Sequence, residues 1–150
     1  MKPELYRQIC DRLHHLLGDE NDFIANAANT SALLFQSLPD INWAGFYIAR
    51  ESELVLGPFQ GKPACVRIAL GKGVCGTAAV KREVLVVPDV FEFPGHIFCD
   101  GASRSEVVVP LVQRNALLGV LDIDSPHPGR FDAEDQAGLE PLAAAFMQAL

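Results

Sequence analysis

Three of the four cysteines, Cys65, Cys75 and Cys99, fall within 35 residues, while Cys10 stands apart near the N-terminus. A chain of this size in a reducing compartment has no need of disulfide staples. Clustered thiols there point to redox exchange, metal ligation or apolar packing. Their settings differ: PACVRI around Cys65, GKGVCGTAA around Cys75 and PGHIFCDGASRSE around Cys99. Glycines surround Cys75 just before a short helix expected over Thr77 to Lys81, where the helix N-terminus would favour a thiolate. Cys99 follows the turn-forming pair Pro94-Gly95, with His96 between them. A Cys-His pair can activate a nucleophile, although a histidine that only hydrogen-bonds its own loop is the commoner arrangement. A zinc site built from Cys65, Cys75, Cys99 and His96 is the weaker alternative, because no CxxC pair is present. The run GKGVCG also lacks the length and terminal GK[ST] of a phosphate-binding loop, which argues against nucleotide hydrolysis.

A second set of residues emerges from strand alternation, which sends successive side chains to opposite faces. Over 42–49, Ala44, Phe46 and Ile48 form a core-facing set, leaving Trp43, Gly45 and Tyr47 on the other side. Over 105–111, Val107, Val109 and Leu111 face the core and Glu106 opposes them. Over 117–124, Leu117, Gly119, Leu121 and Ile123 share one face, and Asp122 and Asp124 take the other. Three carboxylates and two amphipathic aromatics thus lie on the non-core faces of neighbouring strands. Isolated acids in such places usually meet solvent. Clustered ones repel unless a proton or a cation intervenes, so a pocket for a positively charged amino group, walled by Trp43 and Tyr47, becomes a serious alternative.

The elements that must position these groups are legible from periodicity. Leu5, Ile9, Leu13, Leu16 and Leu17 predict an amphipathic helix ending near Gly18; Phe23 to Leu38 predict a second, capped by Asn21 or Asp22 and ended by Pro39. Strands are expected near 42–49, 53–60, 64–69, 84–87, 105–113 and 117–124, the last two joined by a tight turn at Arg114-Asn115. Asp132 should cap a final helix whose apolar stripe runs through Leu139, Leu142, Ala143, Phe146, Met147 and Leu150. Helices at both ends and strands between them define an α+β domain, a central antiparallel sheet with the terminal helices on one face.

The chain has 150 residues and a formal net charge of -7, with 49% hydrophobic residues, enough for one domain spanning 1–150 with a real core. No apolar run reaches the roughly 18 residues of a membrane span, and the N-terminus lacks the order of a signal peptide. These features predict a soluble cytoplasmic protein. Residues 1–49 carry three basic and six acidic side chains and residues 115–150 one and six, so nucleic acid and anionic lipid are disfavoured as partners.

The stretches NWAGFY (42–47), LGPFQGKPACVRI (56–68), GKGVCGTAA (71–79), SRSE (103–106) and GVLDIDSP (119–126), with the HIxCD motif at 96–100, closely resemble the free methionine-(R)-sulfoxide reductases, single-domain enzymes of the GAF fold. The likeness is nearly colinear from 42 to 141. It implies that Cys99 is the nucleophile, Cys65 the principal resolving thiol and Cys75 a second resolving or relay thiol. It also implies that Glu106, Asp122 and Asp124 hold the substrate amino group and sulfoxide, and that Trp43 and Tyr47 line the pocket around the methyl-sulfur end. Phe98 and Gly101 stand where alanine is common in the family, and Cys10 matches none of its motifs.

The reaction so implied reduces free L-methionine (R)-S-oxide to L-methionine through a sulfenic acid and then a disulfide, reduced by thioredoxin with electrons ultimately from NADPH and no bound cofactor. A homodimer is a further implication. Crowded carboxylates should keep one acid protonated as the proton donor the sulfoxide oxygen requires, yet they should also raise the Cys99 thiol pKa. A protonated acid, His96 or the substrate ammonium could each offset that effect. The rival reading is a non-catalytic GAF domain that senses a small ligand in the same pocket, although such domains usually accompany output domains.

Overall fold

The computed structural model describes residues 1–97, 99 and 101–150. Two helices open the chain, α1 (Lys2–Leu17) and α2 (Phe23–Ser37), followed by strands β1 (Trp43–Arg50), β2 (Glu53–Gly61) and β3 (Arg67–Ala69). Then come α3 (Gly73–Lys81), β4 (Leu85–Val87), a 3-10 turn (Val90–Glu92), β5 (Ser105–Gln113), β6 (Ala116–Ser125) and α4 (Ala133–Gln148). The strands form one antiparallel sheet in the order β3-β2-β1-β6-β5-β4.

Two of the helices begin at a side-chain cap. Asp22 caps α2 by accepting from the Ala25 amide at 2.9 Å, a contact typically worth about 1 kcal/mol. At α4, Asp132 accepts from the Glu134 and Asp135 amides, and the Asp135 carboxylate accepts in return from the Asp132 amide at 2.9 Å, completing a capping box. Asp135 does more than the sequence suggested. Its carboxylate is fully buried and receives the Tyr6 hydroxyl at 2.7 Å, the Lys2 ammonium at 2.7 Å and the Arg130 guanidinium at 3.3 Å, which ties α1 to α4.

The terminal helices pack on one face of the sheet, as expected. Ile9, Leu13, Leu34, Leu139, Leu142 and Phe146 meet Ala44, Phe46, Val107, Val109, Leu111, Leu121 and Ile123. The opposite face is also covered. Here α3 and the segments around β3 and β4 bury Trp43, Tyr47, Leu54, Ile68, Val74, Cys75, Ala78, Val108 and Val120. The second layer exists because α3 starts at Gly73, earlier than Thr77, and so brings Val74 and Cys75 onto the sheet.

Two irregularities set the register. In β2 the residues between the Gly45–Phe59 and Tyr47–Leu56 pairs outnumber those in β1, a bulge that accommodates Pro58. In β6, Leu118 is the extra residue between the Leu111–Gly119 and Val112–Leu117 pairs. This second bulge corrects the simple alternation: Leu118 joins the core of Leu121 and Ile123, whereas Leu117 packs on the opposite side. The β5–β6 connection is the expected tight turn, with Arg114 and Asn115 both at positive φ (53° and 66°), as a type I′ turn requires.

Candidate active site

The second face of the sheet carries a small cavity between β1, β5, β6, the start of α3 and the 93–104 loop, with an open volume of about 40 Å³. Trp43, Tyr47, Cys75, His96, Cys99, Glu106, Asp122 and Asp124 all line it. Cys65 joins them through a disulfide to Cys99, with Cα atoms 5.2 Å apart. Strand register accounts for the carboxylates. Glu106 on β5 stands directly opposite Asp124 on β6, and Asp122 lies two residues along the same face opposite Val108. On its other side Asp122 faces Gly45 and Asp124 faces Trp43.

The aromatic wall is larger than expected. Trp43 stacks on Tyr47 (centroids 5.9 Å apart) and on Phe59 of β2 (5.2 Å), a residue that strand alternation alone did not single out. The indole N–H donates to the Lys62 carbonyl at 3.1 Å, which fixes the ring plane. Glycine at 45 is a steric necessity, since a Cβ there would collide with Phe59. The Tyr47 hydroxyl donates to the Cys65 carbonyl at 2.8 Å, so the wall also anchors the segment that carries one half of the disulfide.

The loop bearing Cys99 is fastened at both ends. The Phe93 carbonyl accepts from the His96 amide at 3.1 Å across Pro94-Gly95, with Gly95 at φ 75°, the geometry of a type II turn. At the far end the Arg104 amide donates to the Ser125 carbonyl, and the Arg104 side chain reaches Asp89 at 3.4 Å and lies over the Phe91 ring. Of the two departures from the family pattern, Phe98 lies outside the described residues. At Gly101 an added Cβ would meet nothing within 4 Å among the described residues, so this glycine answers no steric demand there.

Burial dominates the electrostatics. Asp122 is 4% exposed and Glu106 7%, while Asp124 is half-buried. Loss of water, followed by the charges of Asp124 and Glu106, holds the Asp122 carboxyl well above the ordinary carboxylate range. It therefore tends to keep its proton. Burial likewise pushes the Cys75 thiol up, reinforced by Asp122, Glu106 and Asp124. This corrects the expectation that the helix N-terminus would favour a Cys75 thiolate: the carboxylates and the lack of solvent outweigh the dipole. Burial lowers the His96 pKa, with Glu106 opposing the shift. His96 is consequently neutral at pH 7 and does not supply the positive charge that could offset the acids.

Cys75 remains a free thiol whose sulfur lies 3.7 Å from Glu106 Oε2. Cys10 is on α1 against the other core, across the sheet from the cavity. The quartet Cys65, Cys75, Cys99 and His96 is not the group that the fold assembles for a metal. Among the described residues, the ligand atoms that converge are those of Cys75, Glu106 and Asp122, all within 4.8 Å of one another.

The six-stranded antiparallel sheet covered by helices has the GAF fold, and the GAF domain model matches residues 3–150. Within that class the similarities are specific. The chain is 53% identical over 149 residues to the free methionine-R-sulfoxide reductase of Escherichia coli, covering 99% of this chain and 90% of that protein. It also superimposes on the free methionine-R-sulfoxide reductase of Neisseria meningitidis solved in complex with its substrate (TM-score 0.96, 44% identity, 99% of this chain and 90% of that one). The reduced Staphylococcus aureus fRMsr matches similarly (TM-score 0.94, 48% identity, 97% and 94%). The chain belongs to the free methionine-(R)-sulfoxide reductase family.

Proposed function

We propose that this protein reduces free L-methionine (R)-S-oxide to L-methionine. The observation that carries this reading is the convergence, in one cavity, of Cys99 bonded to Cys65 with Glu106, Asp122 and Asp124 beside an aromatic wall. Reduction of a sulfoxide consumes two electrons and releases its oxygen as water. A Cys99 thiolate attacks the sulfoxide sulfur while Asp122, which retains its proton, delivers it to the oxygen. Methionine departs and Cys99 is left as a sulfenic acid. The Cys65 thiol then condenses with that acid, forming the disulfide and expelling water. A second thiol nearby is what protects a sulfenic acid from further oxidation.

The remaining carboxylates receive the substrate's ammonium, which in turn supplies the positive charge that neutral His96 does not. Trp43 and Tyr47 enclose the methyl-sulfur end. Free amino acid is chosen over a peptide residue because an amide nitrogen carries no charge to fill the acidic site. Thioredoxin, recharged by NADPH, reopens the disulfide by thiol exchange, with no bound cofactor, in the reducing cytoplasm. Cys75 serves as a second resolving or relay thiol, and homodimeric assembly belongs to the same reading. The deciding experiment is a thioredoxin-coupled NADPH assay on the separated R and S diastereomers of free methionine sulfoxide. Turnover of R alone is expected; absence of turnover with either would leave the sensor reading in its place.

A further inference from the structure

The same cavity holds a constellation that sulfoxide reduction does not need in full. Cys75 Sγ, Glu106 and Asp122 offer three ligand atoms within 4.8 Å of one another, and all three residues are buried. In a tetrahedral zinc site with Zn–S of about 2.3 Å and Zn–O of about 2.1 Å, sulfur and oxygen ligands stand about 3.6 Å apart. Cys75 Sγ and Glu106 Oε2 are 3.7 Å apart. A second observation points the same way: Asp122 Oδ1, on a residue 4% exposed that lines the cavity, meets no hydrogen-bond donor among the described residues. A buried carboxylate oxygen without a partner is costly unless something fills its lone pairs.

We propose that Cys75, Glu106 and Asp122 form a three-ligand site for a thiophilic divalent cation, Zn²⁺, which enters the cavity in place of the substrate ammonium and inhibits the enzyme competitively. One thiol and two carboxylates suit zinc, cobalt or cadmium; calcium and magnesium need six or more hard oxygen ligands, which this cavity does not offer. As the metal binds, the Cys75 thiol proton and the Asp122 carboxyl proton both pass to solvent, and no electron is transferred. The fourth position faces the cavity, where a water completes the tetrahedron. Because Cys75 stands outside the Cys65–Cys99 disulfide, the site persists in the oxidised protein. The competition, though not the binding, rests on the reading of Glu106 as a ligand of the substrate ammonium and of Asp122 as the proton donor to its sulfoxide oxygen.

Titration of Co²⁺ into the disulfide-bonded protein tests this directly, because thiolate coordination produces a sulfur-to-cobalt charge-transfer absorption. A band that saturates with one equivalent and is erased by Zn²⁺ is expected. Cys75→Ser should abolish it, and Glu106→Gln should weaken Co²⁺ binding by about 100-fold. Cys10→Ser should leave the band unchanged. If Cys75→Ser perturbs folding by circular dichroism, Cys75→Ala replaces it. A band surviving in both Cys75 variants, or no band in the wild type, overturns the site. Free methionine (R)-sulfoxide should raise the apparent Co²⁺ dissociation constant in proportion to its concentration; intact metal binding without that competition overturns the inhibitory role. Metal binding with the expected variants in a protein that reduces no sulfoxide would instead strike the functional reading and uphold the site.

Discussion

The Tyr47 hydroxyl donates a 2.8 Å hydrogen bond to the Cys65 backbone carbonyl, so a residue of the aromatic wall also holds the partner of the Cys99 sulfur. Burial first, and then the nearby Asp122, raise the Tyr47 pKa, which keeps the hydroxyl a donor throughout the working pH range. Tyr47→Phe retains the ring and removes only this contact. The expected cost in stability is about 1 kcal/mol. Its distinguishing effect is kinetic: methionine release in a single turnover stays near wild type, while formation of the Cys65–Cys99 disulfide slows. Rapid-quench measurement of methionine alongside free-thiol counts separates the two, and equal slowing of both steps would refute the positioning role.

The cysteines divide the reaction into halves. Cys99→Ser should release no methionine. Cys65→Ser should release one equivalent per site and then stall, with a sulfenic acid trapped by dimedone and identified by mass spectrometry. Undiminished turnover by Cys99→Ser would dismiss the assignment of the nucleophile.

Asp122 is the proposed proton donor, and its raised pKa fixes the sign of two pH effects. The acid is competent when protonated, so kcat/KM should fall as pH rises through the folded-state pKa. Asp122→Asn should remove that alkaline limb and lower kcat by about 100-fold. Stability follows the same direction. A carboxyl whose folded pKa lies above its unfolded value contributes stability that is fully present below the unfolded pKa and lost as pH rises through the folded one. Melting temperatures of wild type and Asp122→Asn, compared from about pH 4 to 9, should diverge with the variant the more stable at the alkaline end. A constant difference across that range would contradict the account.

Substrate choice tests the acidic pocket. N-acetyl-methionine (R)-sulfoxide keeps the sulfoxide and loses the ammonium, and its kcat/KM should fall by at least about 100-fold, the equivalent of about 2.7 kcal/mol. Comparable turnover of the acetylated compound would show that Glu106 and Asp124 do not read the amine.

Asp135 offers a control remote from the cavity. Replacing it with Asn leaves Lys2 and Arg130 without their shared buried carboxylate and should destabilise the fold by about 3 kcal/mol in urea denaturation. KM for the sulfoxide should not change at temperatures where the variant is folded.

Much of the site was legible without coordinates because period-two alternation is a local property of the backbone. It placed Trp43, Tyr47, Glu106, Asp122 and Asp124 on one face, and the register confirms their adjacency. The Arg114-Asn115 turn and the Asp132 cap were readable for the same reason, since their signals lie within a few residues. Other features depended on distant segments meeting. The Leu118 bulge, which moved Leu117 to the opposite side, arises from pairing with β5 and leaves no mark in the local pattern. Phe59 joined the wall through strand pairing across the Gly45 gap, and Asp135 was buried by Tyr6, Lys2 and Arg130 from elsewhere in the chain. For Cys75, sequence context favoured a thiolate and the tertiary structure reversed it. A helix N-terminus is encoded locally, whereas burial against two strands of carboxylates exists only once the sheet has formed.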